Sequence, residues 1–158
     1  VTHTTYQVED DVVLAFETRK KKATEHYLVI PRRHISSIKD VDISSKKGKE
    51  LLNHMLRVGK SIMKRHGGEK ASFHFHIPPC NSINHLHMHC IKPPFTRLLW
   101  KWQFSNNGIT SLDIETVLDG TVEEVRLRSL FRITFYLFLL VTALMLTIIY
   151  YNKNHLFF

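Results

Sequence analysis

Residues 133–151, ITFYLFLLVTALMLTIIYY, run for 19 positions without a charge, a glycine or a proline. As a helix at 1.5 Å per residue they would measure about 28 Å, close to the roughly 30 Å hydrocarbon core of a bilayer. The hydroxyls of Thr134, Thr142 and Thr147 can return their bonds to the helix backbone. Tyr150 and Tyr151 fall where an interfacial aromatic belt is expected. The competing reading is a buried core helix, but so small a body could hardly surround a helix that is apolar on every side. A signal peptide is excluded by position. The segment is therefore expected to be a transmembrane helix.

The flanks set the expected orientation. Arg126, Arg128 and Arg132 precede the span, and only Lys153 follows it. Positive-inside bias then keeps the N-terminal body in the cytosol. Residues 152–158 form a short tail, so the pattern is that of a tail anchor. Low charge beyond the span points towards the endoplasmic reticulum rather than the mitochondrion.

Composition matters because this span hides within ordinary averages. The hydrophobic fraction is 44% and the formal net charge +8, from 22 Lys and Arg against 14 Asp and Glu. All the acidic residues lie at or before Glu124. Disorder, a collagen repeat and a disulfide scaffold are excluded by composition. Two cysteines, Cys80 and Cys90, do not argue for an oxidising compartment. Residue 1 is Val rather than Met, which leaves room for a missing N-terminal segment. The positive charge suits nucleic acid or anionic lipid. The anchor and the juxtamembrane arginines favour lipid, so nucleic acid is not expected as a partner.

The body alternates strands with one main helix. VVLAF (12–16) and HYLVI (26–30) are β-rich runs, joined by a solvated charged loop that carries Arg19 to Lys22. From Ser45 to His66 an apolar stripe of Leu51, Met55, Val58 and Ile62, with Leu52, Leu56 and Met63 beside it, predicts a helix. Ser44 or Ser45 caps it and Gly67-Gly68 ends it. SFHFHI (72–77) predicts a third strand stopped by Pro78-Pro79, and HLHMHCI (85–91) a fourth stopped by Pro93-Pro94. Residues 96–125 lack a strong period, apart from a short helix near 111–118. These elements predict an α+β domain with an antiparallel sheet. The expected division is a domain over 1–95, an extension and basic linker over 96–132, the span 133–151, and the tail.

His85, His87 and His89 would share one strand face at roughly 6.6–7 Å spacing, with Leu86, Met88 and Cys90 on the other. A neutral imidazole near pH 7 is a nucleophile and a general base, and its neighbour can serve as acid. His-x-His on a strand can also chelate a metal, and it can simply be a polar exposed strand. Spacing alone leaves the three readings level.

His85-Leu-His87-Met-His89-Cys-Ile resembles the signature of the histidine triad (HIT) superfamily. His26-Tyr-Leu-Val-Ile-Pro-Arg-Arg-His34-Ile resembles a second block of that superfamily. The segment from Phe75 to Pro79, with Ser82-Ile83-Asn84, looks like its Hint3-like and aprataxin-like branch. The resemblance covers about residues 8–118. It implies an HIT-like antiparallel sheet with one main helix and a shorter C-terminal helix, usually in a homodimer binding a purine nucleotide such as AMP. It implies that His87 attacks the α-phosphorus, giving a nucleotidyl-histidine that water hydrolyses. His89 and His26 would contact the phosphate and assist proton transfer, and His85 would orient the site. Ser82 would lie near the leaving group. Phe16 and Leu28 would line the base and ribose pocket, with Asn81 and His76 near the phosphate. No cofactor is implied for this arrangement.

Three departures qualify the resemblance. Thr18 stands where the family's ribose-binding carboxylate is usual, which lowers the expected ribose selectivity. Many relatives join two N-terminal cysteines to two histidines around zinc. Here those histidines would be His34 and His85, without the cysteines unless a longer N-terminus supplies them. No aprataxin-like zinc finger follows. The resemblance thus implies a nucleotide phosphoramidase or related nucleotidyl hydrolase, which the apolar span outside it would anchor in a membrane. The alternatives are a non-catalytic nucleotide-binding adaptor and, within the enzyme class, an aprataxin-like deadenylase.

Overall fold

A computed structural model describes residues 6–68, 70–78, 81–104, 110–120 and 122–155. It divides the chain into two compact units, Val1–Val125 and Arg126–Phe158.

The first unit is α+β, with an entirely antiparallel sheet. Its strands are β1 (Tyr6–Glu9), β2 (Val13–Glu17), β3 (Ala23–Pro31), β4 (Ser72–His76), β5 (Met88–Phe95) and β6 (Ser111–Asp113). They lie in the order β1-β2-β3-β5-β4-β6. Helix α1 spans Lys46–Arg65, α2 Leu98–Gln103 and α3 Ile114–Asp119. Ser45 caps α1 by accepting from the Gly48 amide, and Gly67 takes a left-handed φ of 65° just past its end.

Alternation divides the sheet into two unlike faces. Val13, Ala15, Tyr27, Val29, Phe73, Phe75, Met88 and Cys90 form one core with Leu52, Met55, Ile62 and Met63 of α1. At Gly59 the helix leaves no room for a side chain, since a Cβ would meet the Cys90 sulfur at 2.8 Å and the Met88 methyl at 2.9 Å. The opposite face carries His26, Leu28, His74, His89 and Ile91, brought level by the pairings His26↔Ile91↔Ser72 and Leu28↔His89↔His74.

Several expectations need correction. The fourth strand begins at Met88, so His85 and His87 precede it and are not part of one extended row with His89. It also continues through Pro93 and Pro94 to Phe95 instead of stopping there. Past His89, β5 pairs with only Phe73 and Ser72 of β4, and beyond Ile91 its neighbour is β3, so the prolines stand where few ladder bonds are required. Two strands, β1 and β6, and helix α2 were not expected. Residues 111–113 form β6 before α3 begins. Pro79 and Cys80 lie outside the described residues.

The second unit holds most of α4 (Val122–His155). Its 20 residues Thr134–Lys153 are long and apolar enough to cross a membrane, and none of that stretch is buried. Thr134 donates to the Leu130 and Phe131 carbonyls, Thr142 to Leu139, and Thr147 to Ala143 and Leu144. The hydroxyls are thereby satisfied within the helix, as lipid would require.

Candidate active site

The polar face of the sheet collects its histidines because β3, β5 and β4 are neighbours. A cavity of about 610 Å³ opens there, lined by Phe16, Thr18, Leu28, His26, His76, Ser82, His87 and His89, with Arg19, Lys20 and Lys22 among its other walls. Of the residues singled out in the sequence, His85 and Asn81 do not line it. The Asn81 amide donates to the Ile83 carbonyl. His85 bonds through Nε2 to the Pro31 carbonyl at 2.9 Å.

The hydrogen-bond network assigns the tautomers. The Lys22 amide donates to His26 Nδ1 at 3.1 Å, so the His26 proton is on Nε2. That Nε2–H donates to His89 Nδ1 at 2.8 Å. His89 therefore carries its own proton on Nε2, an atom that is buried and has no partner. A buried donor without an acceptor is costly, so an arriving acceptor would be favoured. His87 donates from Nδ1 to the His85 carbonyl at 2.7 Å, leaving the lone pair on Nε2. The His87 and His89 rings lie 5.0 Å apart, and His76 lies 4.5 Å from His89. The first histidine of the motif thus acts through its backbone carbonyl on the second.

Three residues of the site were missed in the sequence. Phe104 is 2% exposed and its ring lies 5.1–6.1 Å from those of His26, His74, His76 and His89. Lys22 is not a solvated loop cation: its ammonium is 4.7 Å from the Trp100 ring centre and 5.0 Å from that of Phe104. Burial holds its pKa below the ordinary lysine value. His74 is fully buried and both its ring nitrogens lack partners. The alternation in SFHFHI already put His74 on the His76 face, a signal that was available. Lys22 had none, because the β3–β5 register shifts between Ala23 and Glu25 and breaks the alternation back from His26.

Burial, with added repulsion from Lys22 and the neighbouring imidazoles, lowers the pKa of His26 to about 3 and that of His76 to about 4. Burial alone brings His74 to about 4. His87 and His89 are lowered by the same causes. The folded pKa values lie below the unfolded value of 6.5, so the unfolded state binds more protons between the two. Stability from these groups is present above pH 6.5 and is lost as pH falls from 6.5 towards 4 and 3. Thermal melts should show the midpoint flat from pH 8 to 7 and falling steeply below 6.5. A midpoint unchanged down to pH 4.5 would contradict the buried, neutral state of the cluster.

His34 and His85 approach through their Nδ1 atoms at 3.1 Å. Two imidazoles are half of a tetrahedral zinc set. Among the described residues no group of three or more His, Cys, Asp or Glu is placed to hold a metal ion.

Residues 2–103 match the family model for the scavenger mRNA decapping enzyme C-term binding domain. The chain is 39% identical over 87 residues to the bifunctional adenosine 5'-phosphosulfate phosphorylase/adenylylsulfatase HINT4 of Arabidopsis thaliana, covering 54% of this chain and 59% of that protein. It therefore spans less than two thirds of that relative. It is 32% identical over 134 residues to the adenosine 5'-monophosphoramidase HINT3 of Danio rerio, covering 78% of this chain and 79% of the relative. Among solved structures, a HIT family hydrolase from Legionella pneumophila is 26% identical, with a TM-score of 0.54 over 61% of this chain and 88% of the other.

Proposed function

Because the chain belongs to the histidine triad superfamily, through the scavenger decapping enzyme C-terminal family, we propose that it is an adenosine 5'-monophosphoramidase-like nucleotide hydrolase anchored in a membrane. One observation carries the enzymatic reading. His87 Nδ1 is tied to the His85 carbonyl, so its lone pair stands on Nε2 beside the unpartnered Nε2–H of His89. A nucleophile and an orphaned donor side by side are the two groups that attack on a phosphoryl centre needs.

The chemistry follows from these atoms. A nucleoside phosphoramidate places its base and ribose against the wall formed by Phe16 and Leu28 and its α-phosphate against the histidines. His87 Nε2 attacks phosphorus; the Nε2–P bond forms and the P–N bond breaks. His89 Nε2–H bonds a non-bridging oxygen. The phosphate's negative charge raises the proton affinity of the imidazoles around it. The His26–His89 pair can then take up a proton with the substrate and deliver it to the departing nitrogen. Water next attacks phosphorus, giving up a proton to the His26–His89 pair, and the Nε2–P bond breaks, releasing the nucleoside monophosphate and neutral His87. Splitting the displacement in two spares the site from bringing hydroxide to an anion. Thr18 in the cavity wall offers ribose a hydroxyl but no carboxylate. The test is turnover of adenosine 5'-phosphoramidate by the purified chain, read as AMP release. No AMP above the rate without protein would leave nucleotide binding alone.

The anchor is proposed to be residues 133–151, with the catalytic unit in the cytosol. It is supported by the uncharged span and the preceding arginines. Carbonate-washed membranes should retain the chain, and protease added outside sealed microsomes should digest the catalytic unit. Release by carbonate would remove the anchor, and a protected unit would reverse the orientation.

A further inference from the structure

We infer that the outer face of α2, with the Arg19–Lys22 loop beside it, docks on an anionic phospholipid surface. The inference rests on the membrane reading above for its setting, and on separate observations for its place.

Leu98 and Leu99 are 72% and 67% exposed on a helix whose other side is spent on the core, where Trp100 and Phe104 pack with Phe95 and Ile91. Among the described residues of the first unit they are the most exposed large apolar side chains. Arg97 and Lys101 flank them and are themselves exposed. The charged loop lies alongside, because the Thr96 amide and hydroxyl both donate to the Lys22 carbonyl, at 2.9 and 3.2 Å. That loop adds Lys20, which is exposed. From Lys70 to Leu112 the sequence contains no aspartate or glutamate. Adjacent leucines flanked by Arg97 and Lys101, with Lys20 on the neighbouring loop and no carboxylate from Lys70 to Leu112, suit a surface that is apolar inside and anionic outside. That is the chemistry of an anionic bilayer: leucine side chains enter the acyl boundary while Arg and Lys meet lipid phosphates. An acidic protein groove would satisfy the charges, and it is made an outcome of the test.

The chain carries its own probe, since Trp100 and Trp102 are its only tryptophans and both lie in α2. The full-length protein is reconstituted in phosphatidylcholine vesicles, with and without phosphatidylserine, using lipids brominated near the headgroup end of the acyl chain. Tryptophan emission should be quenched when phosphatidylserine is present, and high salt should relieve the quenching, because the cationic contacts are screened. Leu98→Asp/Leu99→Asp should lose the quenching while retaining phosphoramidate turnover, because neither leucine lines the cavity. Emission insensitive to bromine in both vesicle types overturns the proposal, as does a double variant quenched like the wild type. A photo-crosslinker at position 98 in native membranes should label lipid; a protein adduct in its place also overturns it. Were carbonate to release the chain, the same vesicles would be added to the released protein. Quenching there would uphold docking while the anchor failed.

Discussion

Replacing His87 with asparagine is expected to reduce turnover of adenosine phosphoramidate by at least about a thousandfold, because covalent catalysis is lost outright. Asparagine keeps a polar side chain of similar reach and can still bond the His85 carbonyl, so the loop before β5 should hold. Nucleotide affinity should change little, since Phe16 and Leu28 are untouched. His89→Asn should cost less, as proton transfer typically contributes 10²–10⁴-fold and water can partly replace it. The sharper measurement is chemical. Wild type quenched during turnover of an α-³²P substrate should carry acid-labile, base-stable label, and His87→Asn should carry none. A variant that kept more than a few per cent of activity, or bore the same label, would sink the nucleotidyl-histidine mechanism for this chain.

Phe104→Ala should be the most damaging substitution outside the histidines. The ring is buried against Ala23 and Ile91 and is the common neighbour of four histidine rings. Truncating a buried phenylalanine costs about 3–5 kcal/mol, which in a unit of this size lowers the melting midpoint by roughly 10 °C or more. A second effect separates this from generic core damage. Water entering the vacated space should relieve the desolvation of His26, His76 and His89, and their pKa values should rise towards the ordinary value. Histidine ring NMR titrations of Phe104→Ala and Phe104→Leu would report this. A melting midpoint within about 2 °C of wild type would refute the packing role. Unchanged titrations in a destabilised protein would confine Phe104 to the core.

The α1 helix was legible down to its caps, because its signal is local: an apolar stripe at 3.6-residue spacing between Ser45 and Gly67-Gly68. The apolar span in α4 was legible for the same reason, from an unbroken run of uncharged residues. Local alternation likewise placed Met88 and Cys90 on the face that meets α1. It failed at His85 and His87, where extended-looking residues precede the strand, and at Pro93-Pro94, which a strand tolerates where few ladder bonds are needed. Sequence by itself therefore determined the α+β class, the main helix, the apolar segment and the residue types from which a histidine site could be made. Tertiary structure alone decided which of them meet. The His26–His89 bond joins residues 63 positions apart and exists only because β3 and β5 are neighbours. Lys22 and Phe104 come together across the register shift in β3, where no periodicity extends. Spacing left the three readings of the histidine row level, because it fixes neither the burial of each ring nor the nitrogen that carries its proton. The proton positions follow from the Lys22 amide and the His85 carbonyl, partners whose positions depend on the folded sheet.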